Sequence, residues 1–88
     1  MNRILIIEDD KTLRGELKTL LDNSGYSAFC AEDFSKTLNT MLNFDGELIL
    51  LDINLPFTNG ETLLRDFRRT SDTPVIMLTS RVTALDEC

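Results

Sequence analysis

Ile4-Leu5-Ile6-Ile7-Glu8-Asp9-Asp10 is the stretch on which the fold turns. An unbroken aliphatic run, rich in β-branched side chains, passes directly into a row of acids. A half-exposed strand would alternate apolar and polar residues. A continuous run suits a strand covered on both faces, as in a parallel sheet. Leu48-Ile49-Leu50-Leu51 and Val75-Ile76-Met77-Leu78 have the same character. Pro74 stands at the mouth of the last run, where a missing N–H costs the ladder least. Tyr26 to Ala31 is more polar and suits an edge strand.

Between these runs the apolar period changes. Leu13, Leu17, Leu20 and Leu21 form one stripe of a helix. Asn23-Ser24-Gly25 ends it, with Gly25 free to take the left-handed conformation of a helix stop. Phe34, Leu38, Met41 and Leu42 repeat the spacing, with Asp33 as N-cap. Leu63, Leu64 and Phe67 give a shorter helix after the Asn59-Gly60 turn signal. Thr83 to Cys88 begins a further helix. Strands alternating with helices through short connections predict parallel pairing with right-handed crossovers, an α/β doubly wound sheet in one domain over residues 1–88.

The bulk properties narrow the chemistry. The 88 residues suffice for one modest core, and 42% hydrophobic with 27% charged residues is ordinary globular composition. A formal charge of −6 argues against a nucleic-acid surface within this chain, because phosphate binding wants excess Lys and Arg. The chain has no histidine, which excludes His-based acid–base chemistry, His metal ligation and a phosphohistidine of its own. Cys30 and Cys88 make neither a metal-ligand spacing nor a disulfide framework; Cys30 reads as a small core residue. No apolar run approaches membrane-spanning length and no signal-peptide pattern opens the chain, so a cytoplasmic setting is expected.

In an open parallel sheet, ligands bind beyond the carboxyl ends of the strands. The residues there are Glu8, Asp9 and Asp10 after the first run, Asp52 and Asn54 after the third, and Thr79 and Ser80 after the fourth. If the first and third strands are neighbours, several carboxylates meet at one mouth. Like charges at that range repel and raise one another's pKa. A hard divalent cation such as Mg²⁺, which favours carboxylate, carbonyl and phosphate oxygens, resolves the conflict. Metal ligands, a free carboxylate and a hydroxyl, with no conventional general base, suit phosphoryl transfer to a carboxylate.

Simpler roles compete residue by residue. Asp10 can cap the first helix, although one cap does not account for Glu8 and Asp9 together. Asp52 can be a solvated strand end or an Asx-turn former before Pro56. Thr79 alone reads as a β-branched strand-end residue, and Lys11 and Arg81 as solvated charges. The common position of the polar residues at one end of the sheet favours the site.

Taken together, Ile-Leu-Ile-Ile-Glu8-Asp9-Asp10, Leu-Ile-Leu-Leu-Asp52-Ile-Asn54-Leu-Pro56, Asn59-Gly60 and Pro74-Val-Ile-Met-Leu-Thr79-Ser80-Arg81 resemble, in order and spacing, the receiver domains of bacterial two-component response regulators. The resemblance implies a flavodoxin-like receiver fold with strand order 2-1-3-4. Asp52 stands at the phosphoacceptor position, supplied by a sensor histidine kinase. Glu8 and Asp9 match the acidic pair that holds Mg²⁺, Asp9 directly and Glu8 through water. The backbone carbonyl of Asn54 would complete the protein ligands alongside Asp52, and Thr79 matches the switch hydroxyl. Pro56 and Gly60 would shape the loop after the acceptor strand. The Thr79-Ser80-Arg81 ending, with Asp86 beyond it, is most similar to regulators with a winged-helix DNA-binding output domain. DNA contact would belong to such a domain, outside these residues.

Receivers of this kind continue through a fifth strand and a last helix, which these 88 residues do not include. The resemblance therefore covers an incomplete receiver, without the lysine and aromatic of the fifth strand. An uncovered fourth strand is expected to self-associate. Two alternatives use the same residues. Glu8-Asp9-Asp10-Lys11-Thr12 outlines a haloacid-dehalogenase phosphatase motif, but with Glu8 where that family needs Asp. A degenerate receiver would bind partners without phosphorylation. An FMN-binding flavodoxin is excluded by the acids after the first strand, which would repel a phosphate.

Overall fold

A computed structural model describes residues 2–53, 55 and 58–78. Its elements run β1 (Arg3–Ile7), α1 (Lys11–Asn23), β2 (Ser27–Cys30), a 3₁₀ turn (Phe34–Lys36), α2 (Thr37–Asn43), β3 (Leu48–Asp52), α3 (Gly60–Arg68) and β4 (Val75–Leu78). The four strands are parallel, as the sequence pattern predicts, and stand in the order β2-β1-β3-β4 that the family resemblance implies.

The alternation of side chains along the two central strands divides the core. Leu5, Ile7, Ile49 and Leu51 face α2 and α3, where they pack with Met41, Leu63 and Phe67. Ile4, Ile6 and Leu50 face the opposite side, joined by Ala28 and by Leu17 and Leu21 of α1. Burial on both faces is why β1 and β3 show no polar alternation. The sheet is thus wound on both sides, with α1 on one face and α2 and α3 on the other.

Helix ends follow from local chemistry. Asp10 caps α1, its side chain accepting from the N–H groups of Thr12 and Leu13. The helix stops in a Schellman arrangement. The Gly25 N–H donates to the Asp22 carbonyl and the Tyr26 N–H to the Leu21 carbonyl, with Gly25 at φ +95°. Asn59 caps α3 through the N–H groups of Glu61 and Thr62.

Several expectations shift in detail. Leu20 was expected in the buried stripe of α1 but is 62% exposed. Adjacent helical residues are about 100° apart, so the Leu17–Leu21 line that meets the sheet leaves Leu20 on the flank. Asp33 caps the 3₁₀ turn rather than an α-helix, accepting from the Ser35 N–H. That tighter turn rotates the residues behind it, so Met41 is buried while Leu42 is exposed. Cys30 is half-buried, packed against the α1-side core rather than within it.

β4 is the larger departure. Its sequence reads like β1 and β3, yet Ile76 is 50% exposed. Among the described residues β4 pairs only with β3, and Ile76, opposite Leu50, lies on the face that α1 covers over β1 and β2. The expected helix over 83–88 and the residues Thr79, Ser80, Arg81, Asp86 and Cys88 lie outside the described residues, as do Asn54 and Pro56. No helix among the described residues is long and apolar enough to cross a membrane.

Candidate metal and phosphoacceptor site

The β1–β3 register pairs Ile7 with Leu51. Glu8, the residue just past β1, and Asp52, the last of β3, therefore stand beside one another at the carboxyl end of the two central strands. Glu8 is 0% and Asp52 1% exposed, whereas Asp9 reaches solvent. Carboxylate oxygens of Glu8, Asp9 and Asp52 lie within 4.8 Å of one another. Asp10 points away and is occupied in capping α1, so the simpler reading holds for it.

The backbone of this corner is tightly held. The Asp10 N–H donates to Glu8 Oε2 at 3.1 Å. Arg14 Nη1 donates to the Glu8 carbonyl at 3.3 Å. On the β3 side the Gly60 N–H donates to the Ile53 carbonyl at 3.0 Å. A Cβ at Gly60 would come within 2.8 Å of the Asp52 carbonyl oxygen and 2.7 Å of Ile53 Cα. Only glycine lets the start of α3 approach the strand end that carries Asp52.

Burial away from water raises the Glu8 carboxyl to about 7. The Asp10 N–H works against that rise, and Asp52 and Asp9 add to it. Glu8 Oε1 is buried without a hydrogen-bond donor among the described residues. A buried carboxylate oxygen with no donor, facing two further carboxylates, is the arrangement a hard cation satisfies and a hydrogen-bond network does not. The donor set is all oxygen, which suits Mg²⁺ and disfavours zinc or copper. The residues present therefore fit the ion.

The structure thus brings Glu8, Asp9 and Asp52 together, while Asn54 and Thr79 lie outside the described residues. Lys11 is exposed, as expected. Sequence reading missed Arg14. Its signal is faint: a basic residue one turn after the Asp10 cap lies over the end of the preceding strand. It also treated Gly60 only as a loop former, because a close backbone approach leaves no pattern in spacing.

A family model described as response regulator receiver domain matches residues 4–87. The transcriptional regulatory protein CpxR of Klebsiella pneumoniae is 43% identical over 86 residues, covering 98% of this chain and 37% of that protein. YxdJ of Bacillus subtilis, also a transcriptional regulatory protein, is 37% identical over 87 residues, 99% of this chain and 38% of its own length. The chain thus spans well under half the length of these curated relatives. Among solved structures, response regulator TrrA from Thermotoga maritima in complex with Mg²⁺ and BeF matches with TM-score 0.83 at 28% identity, over 99% of this chain and 76% of that one. A complex of histidine kinase ThkA with TrrA matches with TM-score 0.81 at 31% identity, over 91% and 70%.

The raised Glu8 pKa has a consequence for the metal-free chain. Between about 4.5 and 7 the folded state holds a proton that the unfolded chain releases, so stability falls as pH rises through this window. Thermal melts in chelator should show the midpoint dropping by roughly 10–20 °C over that range, judged from typical domain entropies. Glu8→Gln should flatten the dependence. An unchanged slope in that variant would assign the effect elsewhere.

Proposed function

The chain belongs to the response regulator receiver domain family, and from that premise we propose that Asp52 is the residue phosphorylated, in a Mg²⁺-dependent transfer from a sensor histidine kinase. The observation that carries this reading is the convergence of Glu8, Asp9 and Asp52 at one mouth of the sheet, two of them buried. A receiver is a signalling module rather than a turnover enzyme. The working setting proposed is the cytoplasm.

Glu8, Asp9, Asp52 and the Asn54 backbone carbonyl would hold the ion. When bound, Mg²⁺ supplies neutralisation of the charge that gathers between carboxylate and phosphoryl oxygens. Asp52 attacks the phosphorus of the kinase phosphohistidine in line. The new bond is carboxylate oxygen to phosphorus, the P–N bond breaks, and the imidazole leaves with the electron pair. Burial of Asp52 at the end of β3 shields its carboxylate from bulk water, and the close start of α3 holds the backbone that carries it. Thr79 is proposed to donate its hydroxyl to a phosphoryl oxygen after transfer, biasing two pre-existing conformations of its strand end. Slow hydrolysis of the aspartyl phosphate would restore the resting state. Control of transcription, as the similarity to the transcriptional regulatory proteins CpxR and YxdJ suggests, completes the proposal, with a winged-helix output domain proposed from the Thr79-Ser80-Arg81 pattern.

The haloacid-dehalogenase reading would make Glu8 the nucleophile and leave Asp52 idle, which the burial of Asp52 beside Glu8 disfavours. A degenerate receiver is disfavoured because the acidic pair and the acceptor are all present and adjacent.

Incubation with Mg²⁺ and acetyl phosphate, followed by intact-mass measurement, tests the assignment. One phosphoryl adduct is expected, absent without Mg²⁺ and in Asp52→Asn, and reduced at least tenfold in Asp9→Ala, as loss of a metal ligand implies. Undiminished labelling of Asp52→Asn would place the acceptor elsewhere.

Among the described residues β4 is an edge strand paired only with β3, and its half-exposed Ile76 adds apolar surface, which supports a second proposal, that this chain associates with a copy of itself at β4. Light scattering should give a mass that rises with concentration and falls back in Ile76→Lys. A constant monomer mass would remove the idea.

A further inference from the structure

Glu8 occupies two roles at once, since its carbonyl belongs to the end of β1 and its carboxylate to the acid cluster. The turn after it is clipped from both sides. Asp10 gives its backbone N–H to Glu8 Oε2 at 3.1 Å, while its own carboxylate accepts from Thr12 and Leu13 at the start of α1. One turn into the helix, the Arg14 N–H donates to the Asp10 carbonyl at 2.8 Å. The Arg14 guanidinium then reaches back to the Glu8 carbonyl at 3.3 Å. Arg14 is half-buried, so its side chain lies along the protein and not in bulk solvent.

The Glu8 carbonyl and the Asp9 N–H are two ends of one peptide plane. Whatever holds that carbonyl also sets the direction in which Asp9 leaves the strand. Without Arg14 the peptide is free to rotate, and the exposed Asp9 carboxylate loses its fixed position relative to buried Glu8 and Asp52. A guanidinium suits this task because it is planar, permanently charged and multiply donating.

We propose that Arg14 is a positioning residue of the acid site. By holding the Glu8 carbonyl, it fixes the peptide from which the Glu8 and Asp9 carboxylates are presented to a divalent cation. The proposal rests on the reading of these acids as a Mg²⁺ site.

Electrostatics makes the test sharp, because the two possible roles of Arg14 predict opposite signs. A positive charge that merely lies near a cation site repels the cation, so its removal tightens binding. A positioning residue does the reverse, and loss of such an outer partner weakens metal affinity by on the order of tenfold.

The experiment is a Mg²⁺ titration of the ¹⁵N-labelled chain, following the Asp9 and Asp10 amides by NMR, in the unsubstituted protein, Arg14→Met, Arg14→Gln and Arg14→Lys. Arg14→Met and Arg14→Gln should each bind Mg²⁺ about tenfold more weakly. Arg14→Lys, which keeps charge and a donor, should recover part of the loss. In metal-free samples the Asp10 amide should exchange faster in the Met and Gln variants, a readout independent of the ion. Two neutral variants keep the comparison open if one folds poorly. Equal or tighter binding in both overturns the positioning role while leaving the Mg²⁺ site intact. Failure of the unsubstituted chain to bind Mg²⁺ overturns the site reading and the proposal with it.

Discussion

Two carboxylates buried side by side are the constraint to which the rest of this structure answers. The parallel register that pairs Ile7 with Leu51 leaves Glu8 and Asp52 adjacent at the end of the most deeply buried strands. Neither can reach water, and Asp52 adds to the cost of ionising Glu8. Packing on both faces of β1 and β3 fixes the register, since a slip of one residue would exchange the side chains fitted against α1 with those fitted against α2 and α3. The packing that stabilises the sheet thus brings the acids together, an arrangement that a divalent cation would relieve.

The surrounding elements read as supports for this corner. Asp10 turns away to cap α1 while its N–H steadies Glu8. Asn59 starts α3, and Gly60 lets that helix approach the Asp52 carbonyl. The two caps begin helices on opposite faces of the sheet, so both walls of the mouth are anchored by helix starts. Helix N-termini also carry partial positive charge, which favours anionic groups nearby.

Much of this was legible in the residues. Unbroken aliphatic runs with acids directly behind them gave the central strands and their functional end, because burial on both faces removes polar alternation. The helix stop at Gly25 and the cap at Asp10 were readable because each answers a local need, whereas Asn59 read only as part of a turn and proves to cap α3. The exposure of Leu20 was not, since four leucines at helical spacing do not say which side of their stripe meets the sheet. Nor was the exposure of Ile76, since an apolar run does not say whether both faces find partners. Arg14 stayed hidden because a long side chain reaching a backbone carbonyl leaves only a faint trace in sequence, a basic residue one turn after a cap. The 3₁₀ start of the second helix escaped notice because Asp33 caps either kind of turn. Strand order came from family resemblance, and periodicity alone would not have supplied it.

The central claim is that a divalent cation, competing with a proton on Glu8, settles the buried acids. Calorimetric titration of Mg²⁺ into the chain at pH 6.5, in two buffers of different ionisation enthalpy, tests it directly. One Mg²⁺ per chain, with a fraction of a proton released that vanishes in Glu8→Gln, is the result this account predicts. Absence of Mg²⁺ binding, or binding with no proton released, would contradict it.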